Sequence, residues 1–322
     1  MGVCLMENFS LRITYFLMTW GMAVCCAGQL KQAIGAQDDR QVAIQQVLDQ
    51  MPQCQGLGDY YWEIGDGQGV LVQGQHGRTL GPNDYLGIAS ASKWVFAAYV
   101  VQRLGSGLAP EQIEKLQLTS GYDRLNPAFC IGKPSAEACF EAANNSRFDA
   151  THVGLFSYNG GHMQKLMMDL GLGNLGSEAL TTDLHRYLPL DAAFSYNSPQ
   201  AAGGLRATPA AYGDFLRRII RGELTMADYL GRYPVCTAPG SCPAAVSSPV
   251  PFAWHYSLGH WVEDDPLRGD DGAFSSAGAF GFYPWISADR RFYGLLARNN
   301  FQPSAAVESV ACGIAIRHAF MD

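Results

Sequence analysis

Dense runs of lysine and arginine are missing from this chain, and 29 acidic residues outnumber 22 basic ones for a net charge of -7. That balance offers no electrostatic footprint for nucleic acid or for an anionic membrane surface. No internal repeat or low-complexity tract is present, which argues against a solenoid or a fibrous design. After residue 27 no stretch approaches the roughly 20 apolar residues that a membrane span needs. The cysteines never take the CxxC spacing of a structural zinc site, and His255 and His260, five apart on an expected strand, point to opposite faces. The acidic group Glu263, Asp264, Asp265, Asp270 and Asp271 lacks the ordered spacing of an EF-hand and reads as a solvated turn. Neither a metal nor an organic cofactor is expected.

What is present is a globular chain of 322 residues, 48% of them hydrophobic, enough to bury a large core. Residues Ile13 to Cys26 are apolar, follow Arg12 and end in small residues, the pattern of a secretory signal over residues 1–27 with the mature chain starting near Gly28. A lipid-modified Cys25 or Cys26 is left open, and the expected location is periplasmic or secreted. Removing Cys4, Cys25 and Cys26 leaves six cysteines, an even set suited to an oxidising compartment. Fifteen pairings are possible. Cys130 with Cys139 and Cys236 with Cys242 are close pairs in Pro- and Gly-containing loops, and Cys54 with Cys312 would then join the two ends of the chain.

Hydrophobic spacing over Asp38 to Met51 predicts an amphipathic helix. Two strands should follow, Asp59 to Ile64 and Val70 to Gln75, with Gly-Asp-Gly-Gln-Gly supplying positive-φ residues to their turn. The middle, to about Pro251, reads as short helices and loops, the clearest helix being Pro209 to Ile220. Strands return over Ala253 to Val262, Ala279 to Ile286 and Phe292 to Ala297, and Ser304 to Phe320 is helical. This order predicts an α/β subdomain from residues 28–88 plus 251–322, an antiparallel sheet flanked by the N- and C-terminal helices, with an inserted all-helical subdomain over 89–250 and a catalytic cleft at the seam. The stretch from Cys236 to Pro251 reads as a surface loop. Trp254, Tyr256 and Trp261 read as core aromatics on a strand.

Ser90 and Lys93 stand at the start of a predicted helix, one turn apart and therefore on one face. A serine hydroxyl needs a base to become a nucleophile, and a lysine kept neutral by burial can serve. Ser157-Tyr158-Asn159 precedes another helical pattern; its serine can shuttle a proton, and the Asn159 amide can both donate and accept. Ser195-Tyr196-Asn197 is a second copy of the triplet, and locally the two are indistinguishable.

Together these motifs resemble the serine β-lactamase and penicillin-binding protein superfamily, in which Ser-x-x-Lys is followed by a Ser-x-Asn or Tyr-x-Asn loop and later by a Lys-Thr-Gly-like strand. The resemblance spans most of the mature chain, with Ser157 to Asn159 at class-A-like spacing and Arg206 to Leu224 similar to the class A helix that follows. It implies catalytic Ser90, Lys93 and Ser157, and a substrate lined by Asn159, Ser276, Gly278 and Ala279. The backbone N–H groups of Ser90 and Ala279 would form the oxyanion hole.

Two departures shape the expected function. The third motif reads Ser276-Ala277-Gly278-Ala279, without the lysine or the hydroxyl that the family uses on a substrate carboxylate. In the loop Arg186-Tyr187-Leu188-Pro189-Leu190, Leu188 falls where class A enzymes carry the deacylating glutamate. Arg298 could replace the missing cation but reads as a surface residue. The expectation is an exported acyl-serine hydrolase of an ester, amide or peptide, with a penicillin- or cell-wall-fragment-binding sensor as the alternative. Its partner is a small-molecule or peptide substrate; oligomeric state is not legible.

Overall fold

The computed structural model describes residues 39–105 and 107–322, so the predicted export signal and the mature start near Gly28 lie outside the described residues. A helix over residues 39–50 (α1) and a short one at Pro52–Gln55 (α2) lead into strands Tyr60–Asp66 (β1) and Val70–His76 (β2). The chain leaves the sheet through Leu86–Gly87 (β3) and passes through helices Ser92–Leu104 (α3), Pro110–Leu116 (α4) and Ala136–Phe140 (α5) to Phe156–Ser157 (β4). Helices Gly161–Asp169 (α6) and Ser177–Tyr187 (α7), strands Ser195–Tyr196 (β5) and Leu205–Ala207 (β6), and helix Pro209–Ile220 (α8) complete the insertion. Strands Val235–Cys236 (β7), Ala245–Ser247 (β8), His255–Tyr256 (β9), Trp261–Glu263 (β10), Ala273–Ser275 (β11), Tyr283–Ile286 (β12) and Phe292–Ala297 (β13) precede the closing helix Ala305–Met321 (α9).

The main sheet runs β2-β1-β13-β12-β11-β10-β9-β7, antiparallel at every pairing, so strands from the two ends of the sequence meet where Tyr61 faces Ala297. Its edge strand β7 starts at Val235, earlier than the expected return at residue 251. Helices cover both faces. Phe292 packs on Phe320 of α9, whereas its neighbour Tyr293 turns to the other side and accepts a hydrogen bond from Arg217 of α8 at 2.8 Å, the period of two expected of a strand. Helix α8 begins where Thr208 caps it by accepting from the Ala211 amide, with Pro209 inside its first turn, and it buries Tyr212, Phe215, Leu216 and Ile219. Helix α3 is buried from Ser92 to Val101 and forms the hub of the core.

Two local expectations need correction. None of Gly65, Gly67 and Gly69 takes a positive φ; the β1–β2 turn is closed instead by the Asp66 carboxylate, which accepts from the Gln68 and Gly69 amides at 2.7 and 3.1 Å. The acidic group after β10 is no solvated turn either. Glu263 is fully buried and pairs at 2.7 Å with the equally buried Arg317 of α9, which also binds Asp271. These charges are retained because each is paired and hydrogen-bonded, Tyr283 completing the group.

Cys54 pairs with Cys312, Cys130 with Cys139 and Cys236 with Cys242. The first ties α2 to α9 across 258 residues of sequence. Closing so long a loop restricts the unfolded chain most, and the double change Cys54→Ser with Cys312→Ser is expected to lower unfolding free energy by about 3–5 kcal/mol. A urea titration without reductant measures it.

Candidate active site

Ser90 sits in a single 3-10 turn, Ala89–Ala91, that runs directly into α3. The residue before it, Ala89, is held at φ 43°, a left-handed conformation costing about 1–3 kcal/mol outside glycine. Its surroundings hold it there. The Ile88 amide donates to Leu205 O, the Leu205 amide donates to Ser92 Oγ, the Tyr212 hydroxyl donates to Ala91 O at 2.9 Å, and Ser276 Oγ donates to Ser90 O at 3.2 Å.

Lys93 lies one turn on, its Nζ 2.8 Å from Ser90 Oγ and 3.2 Å from the Ala202 carbonyl. The residue is 3% exposed, and burial pushes the amine down to about 7. Nζ also stands 4.5 Å from the centroid of the Tyr158 ring. A large fraction of the side chain is therefore neutral near pH 7 and has a lone pair for the serine proton.

Alternation at β4 sorts the Ser157-Tyr158-Asn159 triplet. Phe156 and Tyr158 face the aromatic core with Tyr256 and Trp261, and Trp261 stacks on Tyr158 at 5.3 Å. Burial pushes the Tyr158 hydroxyl up to about 12, outweighing the lowering effect of Ser90 and Trp261, so it stays protonated. Ser157 Oγ lies instead 3.1 Å from Ser247 Oγ of β8. The Asn159 amide binds the Leu125 backbone in both directions and accepts from the Gly161 amide. His162 pins the loop from α6. Because the Ser120 amide can only donate to Nδ1, the proton sits on Nε2 and is given to Ser157 O at 3.0 Å. Burial pushes this imidazole down to about 4, keeping it neutral.

Ser90, Tyr158 and Ala279 line two cavities at once. The larger, about 550 Å³, also holds Lys93, Asn159, Gln200 and, at its exposed rim, Arg206. The smaller, about 180 Å³, is walled by Val250, Phe252, Trp261, Ala277 and residues of α9.

No family model matches the sequence, and the curated proteins contain no match. Solved structures do. EstCE1, a hydrolase with promiscuous acyltransferase activity, aligns with TM-score 0.67 at 12% identity over 89% of this chain and all of its own. The D-amino acid amidase of Ochrobactrum anthropi SV3 aligns at 0.63 and 12%, covering 88% and 99% of the two chains. A β-lactamase from Mycobacterium bovis aligns at 0.56 and 15%, covering 86% and 99%. The chain has the serine β-lactamase-like fold. At such identities the likeness shows architecture alone, and chemistry must come from the residues in place.

Within this β-lactamase-like frame, Ala279 alone of Ser276, Gly278 and Ala279 lines the cavities. The Gly278 amide is given to Phe282 O at 2.7 Å, and a Cβ on Gly278 would lie 2.2 Å from Ile88 O. Its place is close approach of the β11–β12 segment to the nucleophile turn. Leu188 is buried in the core and lines neither cavity. Of the second triplet, Tyr196 is buried while Asn197 reaches the larger cavity. Arg298, expected at the surface, is 1% exposed, with Nη1 directed at Glu308 and Ser309 of α9. Two contributors escaped the sequence reading: the Ala202 carbonyl, which accepts from Lys93, and Gln200 in the cavity wall.

Proposed function

We propose that this protein is an exported serine hydrolase that forms an acyl-enzyme at Ser90 on an ester, amide or peptide, with Lys93 as base. The observation that carries this is the 2.8 Å contact between Ser90 Oγ and a buried amine pushed down to about 7. Neutral Lys93 takes the serine proton as Oγ attacks the carbonyl carbon. The oxyanion is received by the Ser90 and Ala279 amides, with the partial charge of the helix start beside it. Collapse of the tetrahedral adduct breaks the bond to the leaving group, which takes a proton from the Tyr158 hydroxyl while Lys93 returns one to Tyr158. We propose the relay at Tyr158 rather than Ser157 because Tyr158, unlike Ser157, lines both cavities beside Ser90 and has Lys93 Nζ 4.5 Å from its ring. Water then repeats the sequence on the ester. The neighbours' names, an amidase and a hydrolase, support the reaction class. Three disulfides support a periplasmic or secreted location.

A second reading, a penicillin- or cell-wall-fragment-binding domain that keeps its acyl group, is favoured by one feature: among the described residues that line the two cavities there is no aspartate or glutamate to activate water. Intact-mass spectrometry separates the two. Fluorophosphonate is expected to add to the protein and not to Ser90→Ala; a penicilloyl adduct that persists for hours marks the binder, and one that decays marks the hydrolase. No label on either protein overturns both readings.

The pH dependence follows from Lys93. Its charged form cannot accept the serine proton, so the labelling rate should climb about tenfold per unit below about 7 and level off above it. Stopped-flow labelling from pH 5 to 9 checks this; a flat profile would exclude a lysine base.

A further inference from the structure

Ser90 stands between two cavities, and the side chains around the smaller are apolar except at Ser90 and the hydroxyl of Tyr158. We infer that this smaller cavity is a specificity subsite for an uncharged, apolar arm of the substrate, with the segment that follows strand β8, from Pro249 to Phe252, as one of its walls. The inference rests on the acyl-serine reading for its substrate, though not for its shape.

Val250 and Phe252 from this segment, Trp261 from β10, Ala277 beside the third motif, and Ala306 and Val310 from α9 enclose about 180 Å³. Among the described residues no lysine, arginine, aspartate or glutamate lines it, and Arg298, the cation that the sequence offered, is turned into α9. A carboxylate placed among Val250, Phe252, Ala306 and Val310, beyond reach of the Ser90 and Ala279 amides, would lose its water without gaining a charged partner, whereas an alkyl group gains by leaving water. The stretch from Cys236 to Pro251 lies at the surface as its composition reads, but it is anchored. Strand β8 runs parallel to β4, with the Phe156 amide donating to Ala244 O at 2.7 Å and the Tyr158 amide to Ser247 O at 3.1 Å. One backbone ladder thus holds both the cavity wall and the tyrosine beside Ser90, so an arm that seats well in the cavity also steadies the proton donor.

The test uses two measurements. In Ser90→Ala protein, calorimetric titration is expected to show hexanamide binding at least tenfold more tightly than hexanoate, with Ala306→Phe weakening hexanamide at least tenfold. In the Ser90 protein, nitrophenyl esters of increasing acyl length and acetate esters of increasing alcohol length are compared, and Ala306→Phe is expected to lower the long-to-short ratio of kcat/KM at least tenfold in one series. Ala306→Leu replaces it where the larger side chain prevents folding, judged by thermal melting. Equal binding of amide and acid, or binding and ratios indifferent to both substitutions, overturns the subsite even if turnover persists. The expected binding pattern without any Ser90-dependent turnover sustains the subsite and overturns the acyl-serine reading instead.

Discussion

Lys93→Met is expected to slow fluorophosphonate labelling of Ser90 by about 10³–10⁴-fold while raising the melting temperature. Both effects come from one fact: the amine is buried and is pushed down to about 7 by loss of water. Removing the acceptor leaves the serine hydroxyl protonated, and general-base contributions of this kind are worth about 10²–10⁴, with loss of the 2.8 Å contact that orients Oγ added to them. The stability effect has a definite sign. In the unfolded chain the lysine keeps its ordinary value near 10.5, so between about 7 and 10.5 the unfolded state binds more protons and stability rises with pH. Below about 7 both states are charged and the folded one carries the full cost of a buried ammonium. Methionine fills the same space without that cost, so the variant should be more stable by roughly 2–4 kcal/mol at pH 7, about 5 °C in a chain of this size. The advantage should shrink as pH approaches 10. Melting curves of both proteins at pH 6, 8 and 10 check it; a constant difference would mean that Lys93 is not held neutral by burial.

What was legible in the sequence is what depends on neighbours along the chain. Ser90 and Lys93 are three residues apart on one helix start, and that spacing alone brings Nζ to Oγ. The strand-rich ends likewise announce a sheet built from both termini, because alternation and turn residues are local signals. The misread features all depend on partners far away. Glu263 was taken for part of a solvated turn, since nothing nearby reveals that Arg317, 54 residues on, would be buried against it. Arg298 was taken for a surface residue because the helix that covers it begins after a loop. The segment after Cys236 has the composition of a free loop, yet it adds a parallel strand to β4, 90 residues earlier at Ser157–Ser247. Parallel pairing leaves no turn signature in sequence.

The second motif offers two hydroxyls for the proton relay, and there the molecule can be asked directly. Tyr158→Phe is expected to lower kcat by about 10²–10³-fold, whereas Ser157→Ala should change it by less than about fivefold. The triplet Ser157-Tyr158-Asn159 reads as a proton-shuttling serine when matched to a motif, but the tyrosine beside it also carries a hydroxyl and lines the cavities with Ser90. Phe156 and Tyr158 both pack on Tyr256 and Trp261, while Ser157 Oγ meets Ser247 Oγ. Tyr158 stays protonated because burial pushes it up to about 12, which suits a donor to the leaving group and rules out a free tyrosinate as base. Removing its hydroxyl should therefore cost more with a poor leaving group, such as an amide, than with nitrophenolate, which departs without a proton. A burst of nitrophenolate that survives in Tyr158→Phe while amide hydrolysis is lost would carry that signature. Equal losses on both substrates would point to lost packing on Trp261, and a larger loss in Ser157→Ala would return the relay to the serine.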